Sequence, residues 1–227
     1  MTLSSRRAAL GIVLSTTALA GAVPAASSAH ARSAAAKQAL AGTLKIKAGA
    51  FAAGRPSGSY FRMALPGGAN YFANPGSAAT DKSYTLLKPG TAGGLVLGKY
   101  QSAATFDASG NSQAGAIIKP TPFAGILFGL ATLKREPASA PASAAPSATV
   151  KGSKLSLQVS ALTAAWNKLF FNQGTPKPGS KTPLATGTFK KKTNAYTLDW
   201  RSTIVGGPFN GFTGVWHLEG TFKGKLK

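Results

Sequence analysis

The chain has no cysteine. That one absence excludes disulfide staples, thiol nucleophiles, iron–sulfur centres and thiolate zinc sites. Acidic side chains are almost as scarce: five Asp and Glu stand against 26 Lys and Arg in 227 residues. Histidine occurs twice, and one of the pair, His30, falls in a leader-like segment. A single remaining imidazole is a thin ligand supply for zinc, so the sequence calls for no metal and no cofactor. Long apolar runs are also missing. A spanning helix needs roughly 20 consecutive apolar residues, and the most apolar stretch after the leader, 114–133, is broken by Pro120 and Pro122. No transmembrane span is expected there. Helical spacing competes in only one place, 161–171, where Leu162, Trp166, Leu169 and Phe170 fit a helix but Trp166, Lys168 and Phe170 also fit a strand face.

Period-2 alternation fills most of what remains. Its clearest block is 184–222, read as strands 186–192, 196–204 and 212–222 with a turn at Gly206-Gly207-Pro208-Phe209-Asn210-Gly211 between the last two. Tyr196, Leu198, Trp200 and Ile204 share one face of the middle strand, and Trp216, Leu218 and Phe222 share one face of the last. Asp199, Arg201, His217 and Glu219 take the opposite faces. Such alternation belongs to a half-buried antiparallel sheet. Further strands are expected at 42–47, 59–65, 83–87, 94–101, 116–119, 123–133 and 154–160, separated by Gly- and Pro-rich turns. Gly93-Gly94 marks either a bulge or a close backbone approach. The fold class is all-β: an antiparallel β-barrel or β-sandwich with long Gly/Pro-rich loops. A barrel would pair the first strand, at Leu44 and Ile46, with the last, leaving no open edge.

Composition divides the chain. Arg6-Arg7, the apolar run 8–23 and Ala29-His30-Ala31 have the order of an export signal, so residues 1–31 are expected to be cleaved. The arginine pair also resembles a twin-arginine signal, although Ala9 stands where a bulky aromatic is usual. The product is expected outside the cytoplasm, secreted or associated with the cell surface. Residues 32–41 read as a flexible tether, and 42–227 as a single β domain. The segment 136–149, almost wholly Ala, Ser and Pro, reads as a disordered loop. Loss of the leader removes Arg6 and Arg7 and none of the acids, leaving a net charge of about +19.

Asp199, His217 and Glu219, with Arg201 beside them, form the only dense set of chemically capable side chains. Two carboxylates around an imidazole could divide acid and base roles in an exported hydrolase or isomerase. The plainer alternative is a wet face of surface ion pairs. If the tryptophans pointed outward, the same polar face would line the barrel interior. Tyr60, Arg62 and Tyr71 combine aromatic and cationic character, as single-strand nucleic-acid or saccharide grooves do. Phe209, at the tip of a glycine turn, is either a contact residue or a lid on the core. Lys190, Lys191 and Lys192 form the one cationic run. The charge points to an anionic wall polymer, an acidic polysaccharide or phospholipid headgroups, with nucleic acid bound without sequence preference. The leading expectation is a non-enzymatic, basic binding domain. A hydrolase or isomerase using Asp199, His217 and Glu219, or a structural coat component, are the alternatives.

Overall fold

The computed structural model describes residues 36–101, 105–136, 141–175 and 184–227; the expected export signal lies outside them. Among these residues the chain forms β1 (Lys37–Ile46), β2 (Ala50–Ala52), β3 (Arg55–Ser57), β4 (Tyr60–Ala64), β5 (Thr85–Leu86), β6 (Gly94–Val96), β7 (Thr121–Phe123) and β8 (Ile126–Thr132). It continues with β9 (Ser147–Lys151), β10 (Lys154–Gln158), β11 (Leu162–Trp166), β12 (Leu169–Asn172), β13 (Ala185–Lys190), β14 (Ala195–Thr203) and β15 (Thr213–Leu226). The one helical turn among them is Gly207–Phe209.

Six strands close an antiparallel barrel in the order β15–β14–β13–β10–β9–β1, with β1 returning to β15. The closing seam pairs Leu44 with Phe222 and Ile46 with Gly220, which joins the first strand to the last and decides between barrel and sandwich. Every barrel strand sends one parity inward. Leu44, Val150, Leu155, Leu157, Phe189, Tyr196, Leu198, Trp200, Trp216 and Phe222 are all buried. The interior is therefore packed with side chains rather than hollow, as in other small barrels. Large rings face residues without side chains: Tyr196 lies directly opposite Gly220. A Cβ at Gly220 would come within 1.8 Å of the Lys45 carbonyl oxygen, so only glycine lets the seam close here.

A second sheet, β12–β11–β8–β7, packs its aromatics onto the barrel and onto β4. Phe123 and Phe128 meet Phe61 at 5.5 and 5.8 Å between ring centroids, and Phe61 meets Trp216 at 4.4 Å. Gln173, just past β12, fastens the two sheets together. Its carbonyl accepts the Trp200 indole N–H at 3.0 Å and its Oε1 accepts the Trp216 indole N–H at 3.1 Å. Gly214 leaves the space for that side chain, since a Cβ there would sit 2.4 Å from Gln173 Oε1.

Several sequence-based expectations are corrected. The expected tether, 32–41, is not wholly flexible, because β1 already begins at Lys37 and pairs with β9. The expected loop 136–149 ends early: Ser147 to Thr149 belong to β9, while 137–140 lie outside the described residues. The single strand expected at 123–133 is a hairpin, turned at Ala124 and Gly125, both with positive φ. Residues 116–119 form no strand and contribute a single bridge, Ile118 to Pro89. The strand expected at 94–101 shortens to β6, where a Cβ at Gly94 would lie 2.1 Å from the Leu44 oxygen, the close approach anticipated there. The helix that competed at 161–171 is the β11–β12 hairpin.

Candidate functional site

The ladder register sorts the outer wall into rows that run across the strands. One row reads Lys190 (β13), Ala195 (β14), Thr221 (β15) and Lys45 (β1). The next reads Thr188, Thr197 and Glu219, and is completed by Lys47, whose N–H donates to the Glu219 carbonyl. The third reads Thr186, Asp199, His217 and Tyr60, and the fourth Arg201, Val215 and Arg62. Small side chains between flanking lysines leave an open trough of about 440 Å³ across the first two rows. With strands about 4.8 Å apart, its lysine walls on β1 and β13 stand about 14 Å from one another.

The trough opens onto one end of the barrel. There the register and turns collect Lys37, Lys151, Lys154 and Lys190 on β1, β9, β10 and β13, Lys191 and Lys192 in the β13–β14 turn, Lys223 and Lys225 on β15, and Lys227 just past it. All nine are exposed, and among the described residues no Asp or Glu lies at this end of those strands or in the β13–β14 turn, the nearest on β15 being Glu219. Lys191 donates to Gln38 Oε1 at 2.6 Å across the rim. The sequence showed only Lys190, Lys191 and Lys192 as a run. The others were missed because they are distant in sequence. Their common signal is parity: on each strand the lysine occupies the outward set.

The acids sit further along the same wall. His217 donates from Nδ1 to Asp199 Oδ1 at 2.7 Å, while its Nε2 is 4.0 Å from Glu219 Oε2. The His217 ring stacks on Tyr60 at 4.9 Å. Asp199, His217 and Glu219 are thus brought together, on the outer face of a barrel whose tryptophans point inward. Among the described residues no group of three or more His, Asp and Glu is placed to hold a metal. Burial, then the neighbouring Tyr84 and Asp199, push the Tyr60 phenol up, so it stays neutral.

Glu219 is held below the usual glutamate range, first by the hydrogen bond from Lys47 (2.7 Å) and then by that ammonium's charge, the Gly58 N–H at 3.2 Å and His217. A depressed carboxylate pKa stabilises the fold above the ordinary value of 4.5, and that contribution is lost as pH falls through the lower folded value. For a surface pair the amount is about 0.2–1 kcal/mol. Melting curves of the wild type and Glu219→Gln should therefore differ at neutral pH and converge below pH 4.5; a constant gap across that range would show that the carboxylate charge is not what matters.

The other candidate binding residues separate. Arg62 is clamped, its Cζ 3.3 Å from the Tyr71 ring centroid and 4.2 Å from that of Tyr84, and Nη2 donates to Ser83 Oγ at 2.8 Å. Tyr60 and Tyr71 are half-buried, and Arg201 is exposed. Phe209 is half-buried against Trp166, Phe72, Phe123 and Phe212, with centroids 5.0–5.9 Å away, which closes the core at the turn. Comparison with protein-family models, curated proteins and solved structures finds no match.

Proposed function

We propose that the protein is a secreted, non-enzymatic β domain that binds an anionic polymer at the lysine-covered end of its barrel. One observation carries the reading: nine exposed lysines converge there from five strands and a turn with no Asp or Glu among them. Scattered charge would only raise solubility, whereas charge gathered on one end focuses the field and speeds encounter with a polyanion. An extended polymer neutralised by six of these lysines releases condensed counterions, giving a slope of about −4 in log K against log salt. Titration of the purified protein with inorganic polyphosphate from low to high salt checks this. A slope near zero removes the reading.

The short Asp199–His217 contact favours a second reading, an exported hydrolase or isomerase in which Asp199 orients the imidazole and leaves Nε2 as the base. A survey of hydrolytic and isomerising activities with wild type and His217→Asn tests it; an activity unchanged in the variant, or none in either, defeats it.

A further inference from the structure

We infer that Lys37, Lys151 and Lys154 are the seat of the bound anion, a row of unneutralised ammonium groups whose mutual repulsion the ligand relieves. The inference rests on the polyanion reading and names the residues that hold the ligand. Its basis is register. Lys37 on β1 lies directly opposite Lys151 on β9, and Lys151 lies directly opposite Lys154 on β10. Residues so placed have Cβ atoms about 4.5–5.5 Å apart, and like charges there destabilise a sheet. In the ladders of the described residues no other like-charged pair is directly opposed. A chain rich in lysine thus avoids such pairs everywhere but here, where two fall side by side.

The backbone gives the three no way apart. Lys151-Gly152-Ser153-Lys154 is a two-residue hairpin with Gly152 at φ 62°. The Ser153 carbonyl accepts the Phe189 N–H at 2.8 Å, which fastens that turn to β13. On the other side Ala39 and Lys227 exchange N–H···O bonds of 3.0 and 2.8 Å, fixing the start of β1 against the end of the chain. Only the side chains can splay.

No resident charge answers them. The row continues from Lys154 through Thr188 and Thr197 to Glu219. Three strand spacings of about 4.8 Å put that carboxylate about 14 Å along the wall from Lys154. That exceeds a Debye length of about 8–10 Å at moderate salt, and Glu219 is already bonded to Lys47. Among the described residues none of the three ammonium groups makes a hydrogen bond or an ion pair. In the trough, by contrast, Lys45 Nζ donates to the Ala92 carbonyl at 2.8 Å and Lys47 is held by Glu219. Repelling, unpaired groups kept in a sheet that otherwise avoids them mark function rather than folding. What the row recognises is closely spaced negative charge, which phosphate and carboxylate chains share. A ligand that brings such charge to the folded state alone also stabilises that state.

The full chain is melted at low salt, alone and with inorganic polyphosphate or polyglutamate, and both polymers are titrated against it. At about 100 times its dissociation constant either polymer should raise the melting temperature by about 5–10 °C. Lys151→Gln removes the middle charge and with it both opposed pairs. Without polymer it should melt about 1–4 °C above the wild type at low salt and level with it at high salt. It should bind both polymers about fivefold more weakly. Lys99→Gln removes the same charge at an exposed position away from this end. It should shift melting by less than about 1 °C and affinity by less than about twofold. No gain in melting temperature for Lys151→Gln over Lys99→Gln overturns the inference, as does an affinity no lower than that variant's; the polyanion reading survives either result if the wild type binds. A loss for one polymer and not the other overturns it too, because charge alone would then not be what is recognised. Failure of the wild type to bind either polymer overturns both readings.

Discussion

Trp216→Ala should destabilise the domain more than any other single truncation in the barrel, by about 3–5 kcal/mol. Trp216 is 1% exposed and lies where three groups meet. It stacks on Trp200 at 5.5 Å with the rings 6° from parallel, packs on Phe61 from β4, and donates to Gln173 from the second sheet. Truncation opens a cavity under all three and also strands the Gln173 Oε1 acceptor, which adds about 1–3 kcal/mol if water cannot reach it. Against a typical total of about 5–15 kcal/mol, that leaves little margin. Trp216→Phe keeps a ring but removes the donor and should lie between. Leu169→Ala, at a side chain 39% exposed, should cost well under 1 kcal/mol by comparison. Urea denaturation of the three variants checks the order; equal losses for Trp216→Ala and Leu169→Ala would mean that the barrel interior is not where the stability resides.

The same tryptophan shows what the sequence made legible. Strict parity in 196–204 and 212–222 placed Trp200 and Trp216 on one side and Asp199, His217 and Glu219 on the other, and the structure has that register with Trp200 directly opposite Trp216. The all-β class was legible from the alternation, which left barrel and sandwich open; the β1–β15 pairing decides for the barrel. Turns were harder. Ala124 and Gly125 have φ of 47° and 81°, and Asn167 and Lys168 of 47° and 60°. Two-residue type I′ hairpins need such positive φ at both central positions, and Asn-Gly is their usual mark. Alanine and lysine carry no such mark, so one hairpin read as a single strand and the other admitted a helix. The first half of β1 hid for another reason. Lys37-Gln38-Ala39-Leu40-Ala41 has weak strand preference, and it is strand because β9 and β15 flank it and need a partner. The lysine end was illegible in principle: Lys37, Lys151, Lys190 and Lys223 become neighbours only through register and closure, which parity along one strand cannot supply.

Charge reversal at that end separates a built patch from mere basicity. Lys190→Glu, Lys191→Glu and Lys192→Glu together should lower affinity for polyphosphate about 100-fold at low salt, taking about 1 kcal/mol per lysine at an anionic surface. The salt slope should become shallower by about 2, or roughly 0.7 for each phosphate that is no longer neutralised. A control triple, Lys88→Glu, Lys99→Glu and Lys119→Glu, changes the net charge identically at exposed positions outside the lysine end. If the field of the whole molecule drives binding, the two triples must behave alike. If the trough and its rim drive it, the control should lose only a few-fold, since charges more than a Debye length from the polymer, about 8–10 Å at moderate salt, are screened. Neither triple should cost much stability: all six side chains are exposed, and the rim triple gives up the surface hydrogen bond from Lys191 to Gln38. The comparison therefore reads location alone. Equal losses would return the lysines to the role of a general positive charge, and a large loss confined to the rim would make the arrangement of the strands, rather than the composition of the chain, the cause of binding.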